Sequence, residues 1–342
     1  MDWSQDFALG RVPDSLPYGL DGLAAHGLDV LLPPDLHSTS AGRIARRVVT
    51  KAMAGIQWAD VRREVSVRRP ADLILAWDER RGIPNGLYRG LDARSATGVI
   101  WLTEPSFKSR RPDLVKLARR SLTHMDAVWA LSKAQLPILV DDFGVPADRV
   151  HHLRFGVDTD FWRPEGARRE PGLVVSVGND RHRDHSTLVK AVGSAQQQAT
   201  EIRLTLVTRS SVPLPRTLGT RYPQLPHQEL RRLYGRASVA AVAVQRNLHV
   251  SGVTAVLEAM AMGLPVVCTA TPGMEDYVKD GQTGVLTSPG NAAQMADAIA
   301  RLVREPDAAA AMGLRAREWA LRSARSHSHA TQIMAMLKPQ RA

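Results

Sequence analysis

Residues 251–267 read SGVTAVLEAMAMGLPVV, and this stretch decides the fold. Ser251 and Gly252 open a helix whose first amides have no intrahelical acceptor, which makes its start a ready anion site. The interior then reads as core: Val256, Leu257, Ala259, Met260 and Met262 leave little polar surface. Gly263 supplies the C-terminal stop, and Leu264–Cys268 follow as a buried parallel strand. One acid, Glu258, lies about two turns into this helix. A buried carboxylate needs a partner, because leaving it unpaired costs several kcal/mol or forces its protonation. Two partners fit the pattern: a ligand hydroxyl pair such as a ribose diol, or one of the chain's many arginines.

Outward from this stretch the pattern alternates strand and helix, which predicts an α/β chain with parallel sheets. Upstream come strands at Leu173–Val177, Ile202–Thr208 and Val239–Val244, with helices starting near Ser186 and at His227. Downstream come a short helix near Met274–Val278, a strand at Gly284–Leu286, and closing helices over 291–304 and 307–336. The Pro- and Arg-rich passage FWRPEGARREPG (161–172) reads as a linker. Before it, strands are expected at Val30–Leu32, Asp72–Trp77, Gly98–Thr103, Ala127–Leu131 and Val150–Arg154. Helices are expected at Leu16–Ala25, Arg43–Ala54, Pro112–Thr123 and Lys133–Phe143. A doubly wound domain usually starts with a buried strand, yet residues 1–9 hold no apolar run. Either that strand is short and irregular, or the chain begins downstream of it.

With 342 residues the chain has room for two domains. No apolar run approaches the ~18–20 residues of a membrane span. The N-terminus has neither the basic leader nor the apolar segment of a secretion signal. Cys268 is the single cysteine, which excludes an intramolecular disulfide and a cysteine metal cage. The expected compartment is the cytoplasm. The net charge of +11 is uneven: residues 1–165 carry 23 basic and 21 acidic side chains, residues 166–342 carry 22 and 13. That excess favours an anionic partner for the second half. Nucleic acid ranks last among such partners, because aromatic–basic interleaving and docking motifs are missing.

Five segments, in order, carry a family resemblance: FGVDTDFWRP (155–164), VSVGNDRHRDHSTLVKAV (175–192), LYGRASVAAVAV (233–244), SGVTAVLEAMAMGLPVV (251–267) and TPGMEDYVKDGQTGVLTSPGN (271–291). They resemble the C-terminal half of the retaining family-4 glycosyltransferases of the GT-B fold, and HGLDV (26–30) resembles the end of that family's first helix and its second strand. The resemblance implies two Rossmann-like domains facing across a cleft: 1–165 on the acceptor side, 166–320 holding a nucleotide-sugar donor, and 321–342 a helix returning to the first domain. It implies UDP- or GDP-sugar as donor, a hydroxyl acceptor, and no metal or other cofactor. The acceptor would be a cell-envelope glycan or glycolipid, or a secondary metabolite.

By this resemblance Glu258 matches the second glutamate of the family's Glu–seven residues–Glu motif, which binds the donor ribose. The first would fall at Val250, which cannot contact a sugar through a carboxylate. Ser251, Gly252, Val253 and Thr254 remain for the phosphates or the sugar, and His249 is an adjacent substitute. Arg183 falls where the family has a diphosphate-binding lysine and serves as a catalytic group. Asn179 falls where it often has arginine, and Arg181 assists or replaces Arg183. Each basic residue also fits a solvated loop. Gly273 and Glu275 fall in a loop that closes near the donor, or in an ordinary turn. Tyr222, with Pro223, lies in a loop where the base tends to pack.

In the first half Asp78, Glu79, Glu104 and Ser132 end predicted strands, where acceptor and catalytic groups belong. Glu104 has two readings, a contact to acceptor or sugar and a loop carboxylate paired with Lys108. Gly10 and Arg11 lie in a loop that would approach the donor phosphates. The eleven histidines form no helix-spaced ligand pairs with carboxylates, and no Asp-x-Asp motif of the metal-dependent kind is recognised, so no metal site is expected. Residues 42–56 have the pattern of a basic amphipathic helix suited to an anionic membrane, but acids nearly cancel the charge of this half and favour an ordinary soluble surface. The expected function is a retaining hexosyltransferase. The alternatives are a sugar-nucleotide epimerase or hydrolase on the same fold, and a catalytically lapsed nucleotide-sugar-binding protein.

Overall fold

Two runs of strand–helix alternation build two separate sheets, both wholly parallel. The computed structural model describes residues 3–32, 50–67, 71–88, 93–166 and 168–337. It divides the chain into one unit of Gly27–Leu153 with Gln332–Ala342 and another of Met1–His26 with Arg154–Thr331.

In the Gly27–Leu153 unit, β1 (Leu73–Ala76), β2 (Arg94–Val99), β3 (Ala127–Ala130) and β4 (Val150–His152) lie side by side in chain order. Helices Glu79–Leu87 and Pro112–Leu122 pack over them through Ile83, Leu114, Ala118 and Leu122, each fully buried. Helix Glu79–Leu87 contains Gly82, Pro84 and Gly86, a poor helical composition. Close approach explains it: a Cβ on Gly82 would lie 2.0 Å from Thr97 Oγ1, and one on Gly86 2.3 Å from Ser121 Oγ.

In the other unit, β5 (Leu173–Val177), β6 (Arg203–Val207), β7 (Gly219–Tyr222), β8 (Val239–Val242), β9 (Val266–Thr269) and β10 (Val285–Thr287) run in the order β10-β9-β8-β5-β6-β7. Helices His185–Gln198 and Ala292–Arg304 cover the sheet through Leu188, Val192, Met295 and Ile299, each at most 1% exposed. Each such side chain contributes about 1.5–3 kcal/mol by leaving water. The decisive helix spans Val253–Ala261. Gly263 ends it at φ +70°, where Gly263 N–H donates to Met260 O and Leu264 N–H to Ala259 O. Since β5 pairs with β6 on one side and β8 on the other, the strand order reverses there. Ligands of open α/β sheets bind at such a switch point, outside the carboxyl ends of the strands.

Several boundaries differ from expectation, each for a local reason. The division 1–165, 166–320 and 321–342 is not the one the contacts draw. Residues 1–26 join the second unit because Asp14 N–H donates to Asp158 Oδ2, Ser326 Oγ to Asp14 Oδ1, and His329 Nδ1 meets Tyr18 O. The expected closing helix is two, Pro306–Ser323 and Ser328–Met336, parted where Val157 and Ala324–Ser326 exchange backbone bonds. Val30–Leu32 carries no strand, and the first described element is the helix Trp3–Ala8. Leu16–Ala25 is a 3₁₀ segment, Pro17–His26, interrupted by positive φ at Tyr18 and Gly19. The second strand begins at Arg94 rather than Gly98. Helices Trp58–Val67, Glu79–Leu87 and Pro105–Arg110, and strand β7, have no counterpart in the sequence reading. Of the expected amphipathic helix, residues 42–49 lie outside the described residues. Among those described, no helix is long and apolar enough to cross a membrane.

Candidate functional site

The switch point gathers the loop after β5 (178–184) and the loop after β8 (243–252). Arg183 sits between them, its backbone bridged to Val244 and its side chain buried. Nη2 donates to Val177 O, while Nε and Nη1 have no hydrogen-bond acceptor. Two glycines form the slot: a Cβ on Gly178 would lie 2.1 Å from Nη2, and one on Gly252 2.8 Å from Nη1. Burial lowers the basicity of Arg183, opposed by Tyr234, Asp180 and Glu258. A guanidinium keeps its proton in proteins, so the slot holds a fixed charge with donors to spare.

The helix Val253–Ala261 starts against this charge. Gly252 takes φ +89° at its N-cap and supplies no side chain to cap the amides. Val250, buried, holds φ +55°, a rare conformation for a β-branched residue and one that stores strain. Val253 N–H is taken by Val250 O at 3.0 Å, and the first i→i−4 bond runs from Val256 to Gly252. The amides of Thr254 and Ala255 therefore stand at the positive end of the helix.

Glu258 is 8% exposed, and its Oε2 accepts from Tyr234 Oη at 3.1 Å. Burial pushes its carboxyl up to about 8, against the pull of Tyr234 and Arg183. It is thus mainly protonated at neutral pH, and its bonded partner is a tyrosine rather than an arginine. Asp180 gathers a polar cluster: Oδ1 accepts from His182 N–H and Ser251 Oγ, both at 2.8 Å, and lies 3.5 Å from His249 Nε2. Burial opposes its ionisation, yet these contacts together outweigh it and hold the carboxyl well below the usual range.

The other sequence candidates fall at different places in this unit. Asn179 Oδ1 accepts from Arg209 N–H at 2.6 Å and so holds the loop after β6. Arg181 and Thr254 are exposed. Tyr222 is the last residue of β7, not of a loop, and is 43% exposed. Gly273, at φ −94°, caps the turn Met274–Asp276 in a conformation open to any residue, and Glu275 is exposed. Gly10 O accepts from Gln228 Nε2, and Arg11 pairs with Asp6.

The first-half carboxylates already have partners in their own unit. Asp78 caps helix Glu79–Leu87 and pairs with Arg80. Glu79 accepts from the amides of Ile100, Trp101 and Leu102 at 2.6–2.9 Å, and burial raises its pKa. Lys108 pairs with Asp142 rather than with Glu104, which stands buried at the start of helix Pro105–Arg110. The sequence reading missed Asp180, His182 and Tyr234. Tyr234 lay in a resembling block, and His182 and His249 are brought together only by the fold, rings 4.8 Å apart.

Residues 171–305 match the family model described as "Glycosyl transferases group 1". The chain is 27% identical over 230 residues, 59% of its length and 59% of the relative's, to a GDP-mannose-dependent alpha-(1-6)-phosphatidylinositol monomannoside mannosyltransferase of Mycolicibacterium smegmatis. It is 28% identical over 204 residues to a D-inositol 3-phosphate glycosyltransferase of Corynebacterium aurimucosum, covering 51% of this chain and 48% of that protein. The chain thus spans about half to three fifths of the length of these relatives. Among solved structures, Anabaena Alr3699/HepE in complex with UDP and glucose superposes with a TM-score of 0.67 at 16% identity, over 92% of this chain and 87% of that one. Sucrose-phosphate synthase of Thermosynechococcus elongatus gives 0.65 at 19% identity, over 90% and 81%. The chain has the GT-B fold, and its residues 171–305 are similar to the group 1 glycosyl transferases.

Proposed function

We propose that this chain is a retaining glycosyltransferase that moves a sugar from a UDP- or GDP-sugar to a hydroxyl acceptor. The observation that carries the reading is Arg183: a buried guanidinium with two unengaged nitrogens, beside a bare helix start at the switch point. An anion is the partner such a slot lacks. Glu258, on the same helix, presents a carboxyl steadied by Tyr234 through Oε2, a group suited to a ribose hydroxyl.

Charge develops on the departing diphosphate as its bond to the anomeric carbon lengthens. Arg183 and the amides of Thr254 and Ala255 are preorganised for that charge. The acceptor hydroxyl then bonds to the anomeric carbon on the same face, and its proton passes to the departing phosphate oxygen. The products are the glycoside and the nucleoside diphosphate, with configuration retained and no step through a metal. The relatives' names support an acceptor of the glycolipid or polyol class. The buried free thiol of Cys268 fits a reducing cytoplasmic setting.

The test is label transfer from UDP- and GDP-sugars in the presence and absence of glycolipid and polyol acceptors. Label reaching the acceptor, with α-linkage kept by NMR, supports the proposal. Hydrolysis or epimerisation independent of acceptor, or nucleotide binding without turnover of any donor, would overturn it.

A further inference from the structure

Beside the Arg183 slot, three metal-ligating side chains from both loops of the switch point converge. Asp180 Oδ1 lies 3.5 Å from His182 Nδ1 and 3.5 Å from His249 Nε2. One ligand atom from each residue can be chosen so that all lie within 4.8 Å of one another. Tetrahedral zinc holds nitrogen and oxygen ligands at about 2.0–2.2 Å, so its ligand–ligand edges measure roughly 3.3–3.6 Å. Two of the three edges already have that length, and the third has to shorten as the ion binds.

The carboxylate is oriented in advance. His182 N–H and Ser251 Oγ both donate to Asp180 Oδ1 at 2.8 Å and orient the carboxylate, and a cation bound at Oδ1 takes the place of one of these donors. Access is one-sided: the His249 side chain is 3% exposed, His182 13% and Asp180 25%. That leaves a wet side for a fourth ligand, as in three-residue zinc sites.

We propose that Asp180, His182 and His249 bind one zinc-class cation, with water as the fourth ligand, and so tie the loop after β5 to the loop after β8. Two imidazoles and one carboxylate suit zinc, cobalt or nickel rather than magnesium or calcium, which take oxygen ligands. The cation braces the walls of the slot, since Asp180 also holds Ser251 next to Gly252, and it leaves the transfer step to Arg183. It therefore tightens the hold on a diphosphate. This last consequence rests on the donor-site reading above; metal binding itself does not.

The experiment uses tag-free, metal-stripped full chain. Zn²⁺ is titrated against a chromophoric chelator without nucleotide, and Co²⁺ is followed by visible absorption. The expected result is one ion per chain, a tetrahedral cobalt spectrum, no displacement by millimolar Mg²⁺, and affinity lowered more than about 100-fold in His182→Ala and in His249→Ala. His327→Ala keeps full affinity. Absence of binding, or binding that survives loss of either histidine, would overturn the site and show that the histidines serve Asp180 only as neighbours. Should either variant fail to fold, X-ray absorption of the wild-type zinc complex decides, with two imidazoles expected and any other count contradictory. Pyrophosphate is then titrated with and without Zn²⁺. Tighter binding with the metal supports the brace, and equal binding rejects it, whatever the outcome for nucleotides.

Discussion

Replacing Arg183 by methionine separates ligand binding from stability. The guanidinium has one protein bond to lose, Nη2 to Val177 O, and two buried nitrogens, Nε and Nη1, without an acceptor. A bond from a charged donor contributes roughly 1.5–3 kcal/mol, whereas each buried unsatisfied group costs about 1–3 kcal/mol. The variant loses the first and is relieved of two of the second. Its unfolding free energy should stay within about 1 kcal/mol of wild type or rise. A bound diphosphate would occupy both nitrogens, so its loss amounts to roughly 3–6 kcal/mol, or about 10²–10⁴ in affinity. Urea unfolding followed by circular dichroism reads the first quantity, and calorimetry with inorganic pyrophosphate the second. A variant destabilised by more than about 3 kcal/mol that still binds pyrophosphate within tenfold of wild type would refute the reasoning, since Arg183 would then be a structural cation.

Three other substitutions test separate parts of the structure. Burial pushes Glu258 up to about 8 from an ordinary 4.5, so its contribution to stability is complete below the lower value and lost as pH rises through the upper. Urea unfolding at about pH 6 and about pH 9 should show a larger fall in wild type than in Glu258→Gln. Burial likewise raises Asp14 to about 7 from 3.8, against the Ser326 bond and with help from Asp158, and its contribution fades over that window. Asp14→Asn, which tolerates the φ of +52°, should match wild type near pH 4 and exceed it in thermal midpoint near pH 8. Arg169 donates to Tyr234 O and Ala237 O through Nη1, and to Met262 O and Gly263 O through Nη2, joining the C-terminal ends of two helices. Arg169→Met should lower stability by about 3 kcal/mol or more in urea, and an unchanged midpoint would remove Arg169 from that role.

The strands of the larger sheet were legible because most are short apolar runs buried on both faces, as in β5, β8 and β9. β7 was not, since Gly219–Tyr222 is a polar edge strand with three exposed residues. Helix Glu79–Leu87 carries two glycines and a proline, and only the close contacts with Thr97 and Ser121 explain them. The break between Ser323 and Ser328 has no Gly or Pro to announce it, because bonds to Val157 impose it. Arg183 and Glu258 could be singled out from their motif positions. Their geometry could not: the two glycines that frame Arg183 lie 74 residues apart, at 178 and 252. The same holds for Asp180, His182 and His249, ligand-type residues that no local spacing connects.

The most direct measurement is calorimetric titration of UDP, GDP, ADP and dTDP into wild type and Glu258→Ala. Binding of one nucleotide in preference to the others, lost or strongly weakened in the variant, is the predicted result and places the ribose on Glu258. Failure of all four to bind the folded wild-type chain, or equal binding by the variant, would contradict a donor site at the switch point.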